Sequence, residues 1–240
     1  MKSKIGFASR ALAAIAFLSA SAASANIITV GAGDIGKSYT VNYDGFSDGN
    51  VINGLTGQTT FKLTNVSGTS YGFDYSVANT SGDPIDASRI SIFGFNTDPN
   101  ISGASSTGLF DQVATGNVPS GFGQVDLCFK GAGGPNCSGG GSEGVLQGES
   151  ASGSFTLSFS EALSQLSLSN FFVRYQAIEG AGATTSAIGR GTPGGSTGGS
   201  TGGSTGGSTG GTPVPAPGAL ALFALGAIGL ASSRRRRRAA

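Results

Sequence analysis

The strictest pattern in this sequence is an alternation of large apolar residues with small or polar ones. It runs over residues 71–77, and its apolar positions are Tyr71, Phe73, Tyr75 and Val77. Successive side chains of a strand point to opposite faces, so this segment predicts a strand with one buried face. Residues 154–160 repeat the pattern with Phe155, Leu157 and Phe159. These two patterns therefore predict that the chain folds mainly into β-strands.

Further strand patterns are separated by segments rich in Gly, Asn, Asp and Ser. We predict eight strands, at residues 27–30, 38–43, 59–66, 71–77, 89–95, 123–129, 154–160 and 166–178. They predict an all-β domain over residues 26–190, a two-sheet antiparallel sandwich of immunoglobulin-like or jelly-roll type. Residues 97–120 and 131–153 are expected to be long connections at its rim, and residues 161–165 to form a helical turn.

The first 25 residues have the three parts of a secretory signal peptide. Basic residues precede an apolar core at residues 11–18, and Ala23 and Ala25 form a small-x-small cleavage site. We predict that signal peptidase removes residues 1–25 and that the mature chain begins at Asn26.

Residues 191–212 differ sharply in composition from the segments before them. The sequence Gly-Gly-Ser-Thr repeats from Gly194 onward. Such a stretch cannot bury a core and is typical of a flexible linker. Its 22 residues give a root-mean-square reach of roughly 25 Å.

The tail, residues 213–240, combines a proline motif, an apolar stretch and a basic run. The motif is Pro215, Ala216 and Pro217, and the basic run is Arg234, Arg235, Arg236, Arg237 and Arg238. Residues 218–233 predict a single transmembrane helix, although their apolar part spans only roughly 21 Å of a bilayer core of about 30 Å. The arginines favour the cytoplasmic side and are interpreted as a topology stop.

Charge and composition narrow the possible functions. Residues 26–190 carry six Lys and Arg against thirteen Asp and Glu, a net charge of −7. Such an acidic domain is not suited to nucleic acid. The chain contains no His and no Trp, so the usual general base and metal ligand is missing. We expect neither an enzyme nor a cofactor.

The two cysteines, Cys128 and Cys137, bracket eight residues in a glycine-rich segment. A short-range pair in an exported chain favours a structural disulfide. A stapled binding loop and a pair of free thiols are the alternatives.

Two acidic motifs allow a functional and a structural interpretation. Asp44, Asp48 and Asn50 offer oxygen ligands for calcium, but they lack the spacing of an EF-hand loop, so a plain turn is the alternative. Glu143 and Glu149 suggest a glycosidase pair or, more simply, solvated surface charges.

The tail resembles the PEP-CTERM sorting domain of Gram-negative bacteria, with Ala216 where Glu is usual. That resemblance implies recognition and cleavage near residues 215–217 by a membrane exosortase, after transient tethering in the inner membrane. Residues 125–141 and 168–176 are similar to the cistern family of PEP-CTERM proteins, which implies no activity. We expect an exported surface or matrix protein, structural or adhesive in exopolysaccharide or biofilm. The alternative is a carbohydrate- or calcium-dependent binding module.

Overall fold

A computed structural model describes residues 26–134, 136–139, 141–194 and 196. The chain divides into a unit of residues 1–199 and a unit of residues 200–240, and every described residue belongs to the first. We refer to residues 26–194 as the head. The predicted signal peptide, the transmembrane helix and most of the predicted linker lie outside the described residues.

Twelve strands make up nearly all regular structure of the described residues. They are β1 Ile27–Gly31, β2 Ser38–Ser47, β3 Asn50–Ser67, β4 Ser70–Asn79, β5 Ala87–Asp98, β6 Gly103–Ser106, β7 Gln112–Val118, β8 Gly123–Lys130, β9 Val145–Leu146, β10 Ser150–Ser158, β11 Gln165–Glu179 and β12 Ser186–Pro193. A single 3-10 turn, Ala32–Asp34, follows β1. The all-β prediction is confirmed, and each of the eight predicted strands has a counterpart.

All twelve strands belong to one antiparallel sheet. Its order is β6-β10-β4-β3-β2-β12-β11-β5-β8-β7, while β1 pairs with β11 and β9 with β5. The two end strands, β6 and β7, contact each other, so the sheet nearly closes on itself. Two separate sheets are therefore not confirmed. The long strands β3 and β11 contain register shifts, and such bulges bend a strand and increase its twist, which lets one sheet wrap around the core.

The core lies inside this wrapped sheet and is largely aromatic. Tyr71, Phe73, Tyr75 and Val77 are all buried, as their alternation predicts. The Phe61 ring lies 5.7–6.1 Å from the rings of Phe93, Phe95, Phe155 and Phe171. The strand pairs and the buried core of the described residues lie within the head, so the head contains the hydrophobic core that independent folding requires.

Two predicted connections are wrong in part, and the predicted helical turn is wrong. Residues 97–120 contain β6 and β7, and residues 131–153 contain β9 and the start of β10. β6 reads Gly-Ala-Ser-Ser and lacks an apolar alternation. Residues 161–164 form an irregular connection instead of a helical turn, and the Tyr71 hydroxyl donates to the backbone oxygen of Leu163 there (3.1 Å).

Strand β12 was not predicted, and it extends past residue 190 to Pro193. Its inner positions include Ala187, Gly189 and Gly191, so no alternation of large apolar residues is visible. A Cβ at position 189 would lie 2.5 Å from Val173 Cγ2, and one at position 191 would lie 2.6 Å from Phe171 Cβ. Close packing against large side chains of β11 therefore requires glycine at these positions. The same glycines remove the apolar pattern from which β12 could have been predicted.

Within the described residues, no helix has the length and the apolar character needed to cross a membrane.

Candidate ligand-binding groove

A gap in the sheet lies beside β11. The start of β11, Gln165 to Ser169, pairs with β1, whereas Phe172 to Gln176 pair with β12 on the same edge. The opposite edge of β11 pairs with β5. Asn170 and Phe171 fall between these ladders and have no cross-strand partner in any of them. Asn170 has a φ of 51°, so the chain bulges where β1 and β12 meet end to end.

An open groove of about 500 Å³ occupies this gap. Its lining combines amide, hydroxyl, apolar and cationic side chains with backbone, from Asn26, Ile27, Phe122, Ser169, Asn170, Phe171, Arg190 and Gly191. Ile27 is 53% exposed. The volume falls within the range typical of small-molecule sites.

Arg190 stands on β12 at the side of this groove and is exposed. Its guanidinium carbon lies 5.1 Å from the centroid of the Phe46 ring and 5.4 Å from that of Phe122. Both distances fit a cation–π contact. Arg190 forms no salt bridge with any described residue. The two rings hold the guanidinium in place while its charge stays available.

Phe122 reaches Arg190 because the β7–β8 hairpin folds over the outer face of the sheet. Its loop, Pro119–Phe122, has positive φ at Ser120 and Gly121, and the Phe122 ring packs 5.1 Å from that of Phe172. A second hydrophobic cluster forms beneath the hairpin from Ile92, Ala114, Val118, Val125, Cys128, Cys137, Phe172 and Ile188. This cluster positions the wall of the groove.

The predicted disulfide between Cys128 and Cys137 is confirmed. Both cysteines are fully buried in the second cluster. Beside them, Lys130 is 1% exposed, and its ammonium donates to the backbone oxygens of Gly134 and of Asn136 (3.0 Å). The bridge and the lysine together fasten the glycine-rich loop to β8.

Four of the six head cations lie on the outer face of β12, β11, β5 and β8. They are Arg89, Lys130, Arg174 and Arg190, placed there by the cross-strand pairs. Burial lowers the pKa of Lys130 and of Arg174 below their ordinary values. Arg190 is the most exposed of the four in a head that is otherwise acidic.

The three calcium candidates lie at the β2–β3 hairpin. Asp44 is on β2, opposite Thr56 and Arg190, whereas Asp48 and Gly49 form the tight turn with φ of 48° and 87°. The Asn50 amide donates to the backbone oxygen of Asp48 (3.1 Å). Positive φ at both central positions is typical of a type I′ hairpin turn, so the turn interpretation accounts for Asp48 and Asn50.

The remaining acidic candidates are exposed. Glu143 lies beside Gly131, and Glu149 lies in the connection before β10, where its backbone oxygen accepts from the Asn79 N–H (3.0 Å). Among the head residues described, no group of three or more Asp, Glu or Cys side chains is arranged to hold a metal ion. A glycosidase role stays untested.

The groove residues were missed by the sequence analysis. Phe46, Phe122 and Arg190 are far apart in sequence and share no motif, and the pairing of β12 with β2 and β11 brings Arg190 beside the two rings. Ala23, Ala25, Pro215, Ala216, Pro217 and the run Arg234–Arg238 lie outside the described residues.

Comparison with known proteins identifies the tail. Residues 213–237 match the PEP-CTERM protein-sorting motif. No curated protein matches the chain, and no solved structure does.

The sorting motif indicates an exported protein that is anchored in the membrane in transit. The chain carries the PEP-CTERM motif and is consistent with a PEP-CTERM domain-containing exported protein, sorted by an exosortase system. The similarity of its head to the cistern family stays a prediction.

Proposed function

We propose that this chain is a non-enzymatic protein of the cell surface or extracellular matrix, structural or adhesive in exopolysaccharide or biofilm. The match of residues 213–237 to the PEP-CTERM motif carries the proposal. Residues 1–25 direct export, and an exosortase-type enzyme acts near Pro215, Ala216 and Pro217 while the inner membrane holds the tail. The arginines keep the end of the chain in the cytoplasm of a Gram-negative cell.

The head suits a passive role outside the cell. Its core is fixed by many aromatic contacts, and its outer loop is fastened by a disulfide. Disulfides persist in oxidising compartments such as the periplasm and the cell surface. The chain also contains no His, which disfavours most acid–base and metal chemistry. These properties support a stable domain that holds or binds other molecules rather than one that catalyses a reaction.

Deletion of residues 213–240 tests the sorting step. We expect the truncated chain to be exported and released into the medium, whereas the full chain stays with the surface and matrix fraction. A matched variant with Pro215→Ala and Pro217→Ala keeps the apolar stretch and the arginines; it should accumulate in the inner membrane. Unchanged cell association of the truncated chain would contradict sorting by the tail.

The alternative function is a carbohydrate- or calcium-dependent binding module. The carbohydrate version is favoured by one observation, the groove with Arg190 held between two phenylalanine rings. The calcium version depends on Asp44, Asp48 and Asn50. Calorimetry on residues 26–196 with calcium separates the two versions. A heat signal on calcium addition that is lost in the Asp48→Asn variant would support the calcium site.

A further inference from the structure

We propose that the groove between β1 and β12 binds a carboxylate-bearing saccharide of an extracellular polymer, with Arg190 as the contact to the carboxylate. The choice of polymer rests on the proposed function, because that function places the head in exopolysaccharide. The binding surface itself rests only on the residues of the groove.

The charge of Arg190 is available to a ligand. A guanidinium is always charged and presents several donors in a planar fork that matches a carboxylate. Arg190 is exposed and forms no salt bridge with a described residue, although Asp44 lies directly opposite on β2. Phe46 and Phe122 hold its planar group, so little side-chain entropy is lost when an anion binds.

The groove beside Arg190 offers the contacts that a sugar ring requires. The side chains of Asn26, Ser169 and Asn170 carry amide and hydroxyl groups that suit sugar hydroxyls. Asn170 lies in the gap between the ladders and is exposed, so its side chain is open to a ligand. Ile27 and Phe122 supply apolar surface for the C–H faces of the ring.

The charge distribution of the head predicts that an anionic ligand is held only at the groove. The acidic head as a whole repels a polyanion, while the groove is lined by one exposed cation, Arg190. Binding should therefore be local, and salt should weaken it, because exposed charges are screened over about 10 Å at 0.1 M salt. The open groove accepts a segment within a polymer rather than only a chain end.

The test uses residues 26–196, which contain the complete core. Binding is measured by calorimetry with oligogalacturonate, with a neutral dextran oligosaccharide and with inorganic polyphosphate. Arg190→Gln removes the guanidinium, Arg190→Lys keeps the charge, and Lys62→Gln removes an exposed cation from β3 as the matched control. Denaturant unfolding of each variant verifies that the head remains folded.

We expect oligogalacturonate to bind and dextran and polyphosphate not to bind with comparable affinity. Arg190→Gln should weaken binding about tenfold or more, as expected for loss of a charge-assisted contact. Arg190→Lys should weaken binding less, and Lys62→Gln should have little effect. Equal binding of dextran, equal binding of polyphosphate, or no binding of oligogalacturonate would overturn the proposal. If the head fails to bind while truncation of the tail still releases it, only the groove proposal falls.

Discussion

Arg190 and Asp44 lie directly opposite each other on β12 and β2, yet no salt bridge joins them. The guanidinium packs between Phe46 and Phe122 instead. The Asp44 carboxylate is exposed beside this cation. It therefore opposes an incoming anion without neutralising Arg190 by direct contact.

Removing that carboxylate should strengthen the binding of an acidic saccharide. We expect Asp44→Asn to raise the affinity for oligogalacturonate roughly two- to fivefold, the size of an exposed charge interaction. Asp74→Asn, at an exposed position opposite Lys62 on β3, is the matched control and should change the affinity little. Calorimetry at low salt measures both, and weaker binding by Asp44→Asn would contradict the arrangement.

The disulfide should stabilise the head and protect its outer loop. Cys128→Ala with Cys137→Ala removes a bridge that closes a loop of about ten residues, so we expect a loss of about 2–3 kcal/mol in the free energy of unfolding. Denaturant unfolding provides the measurement. The same variant should be cut faster by protease within residues 131–141, and unchanged stability together with unchanged cleavage would contradict this role.

Among the polar residues of the head, Asn79 should be the one whose substitution lowers the free energy of unfolding most. It is 1% exposed, and its amide donates to the backbone oxygens of Ser88 (3.1 Å) and Val145 (3.2 Å). We expect Asn79→Ala to cost about 1–3 kcal/mol, because these buried groups lose their partner. Asn65→Ala, at an exposed position on β3, should change the free energy of unfolding by less than about 0.5 kcal/mol. Equal effects of the two substitutions would contradict the network.

Two buried tyrosines should respond differently to removal of their hydroxyl. The Tyr43 hydroxyl bonds the Thr59 hydroxyl (2.8 Å), whereas the Tyr175 hydroxyl is buried and has no partner among the described residues. At pH 7 we expect Tyr43→Phe to cost about 1–2 kcal/mol and Tyr175→Phe to be nearly neutral or stabilising. Denaturant unfolding of both variants gives the comparison, and the reverse order would contradict it.

The same tyrosines predict a loss of stability at high pH. Burial raises the pKa of Tyr43 and of Tyr175 above the ordinary value of 10.0. The folded head therefore keeps protons that the unfolded chain releases, so this stabilisation is complete below about pH 10 and falls as pH rises further. Each buried tyrosine should therefore contribute to the loss of stability as pH rises above about 10. Between pH 8 and pH 11, the Tyr175→Phe variant should lose less of its free energy of unfolding than the unsubstituted head. An identical loss would contradict the assignment of this pH dependence to the buried tyrosines.

The strands with a clean apolar alternation were predictable, and those without it were not. β4 shows large side chains at alternate positions along most of its length, and β10 does so in its second half at Phe155 and Leu157, which indicates one buried face. β12 has glycines at its inner positions because Val173, Phe171 and Tyr43 occupy that space. The single wrapped sheet also has no local signal, because it depends on pairs of strands that are distant in sequence and on bulges within β3 and β11.

The disulfide and the sorting tail were predictable, while the groove was not. The disulfide follows from two cysteines at short range in an exported chain, and the tail from three consecutive segments of distinct composition. The groove depends on β1 and β12 meeting beside β11 and on a hairpin that carries Phe122 over the sheet. These contacts join residues that are distant in sequence, so no local pattern indicates them.

Fractionation of cells with and without the exosortase tests the central claim most directly. The full chain is followed in the inner membrane, the surface polymer and the medium. With the enzyme present, we predict that the head appears in the surface polymer without residues 218–240; without it, the full-length chain should remain in the inner membrane. An identical distribution in the two kinds of cell would contradict the account.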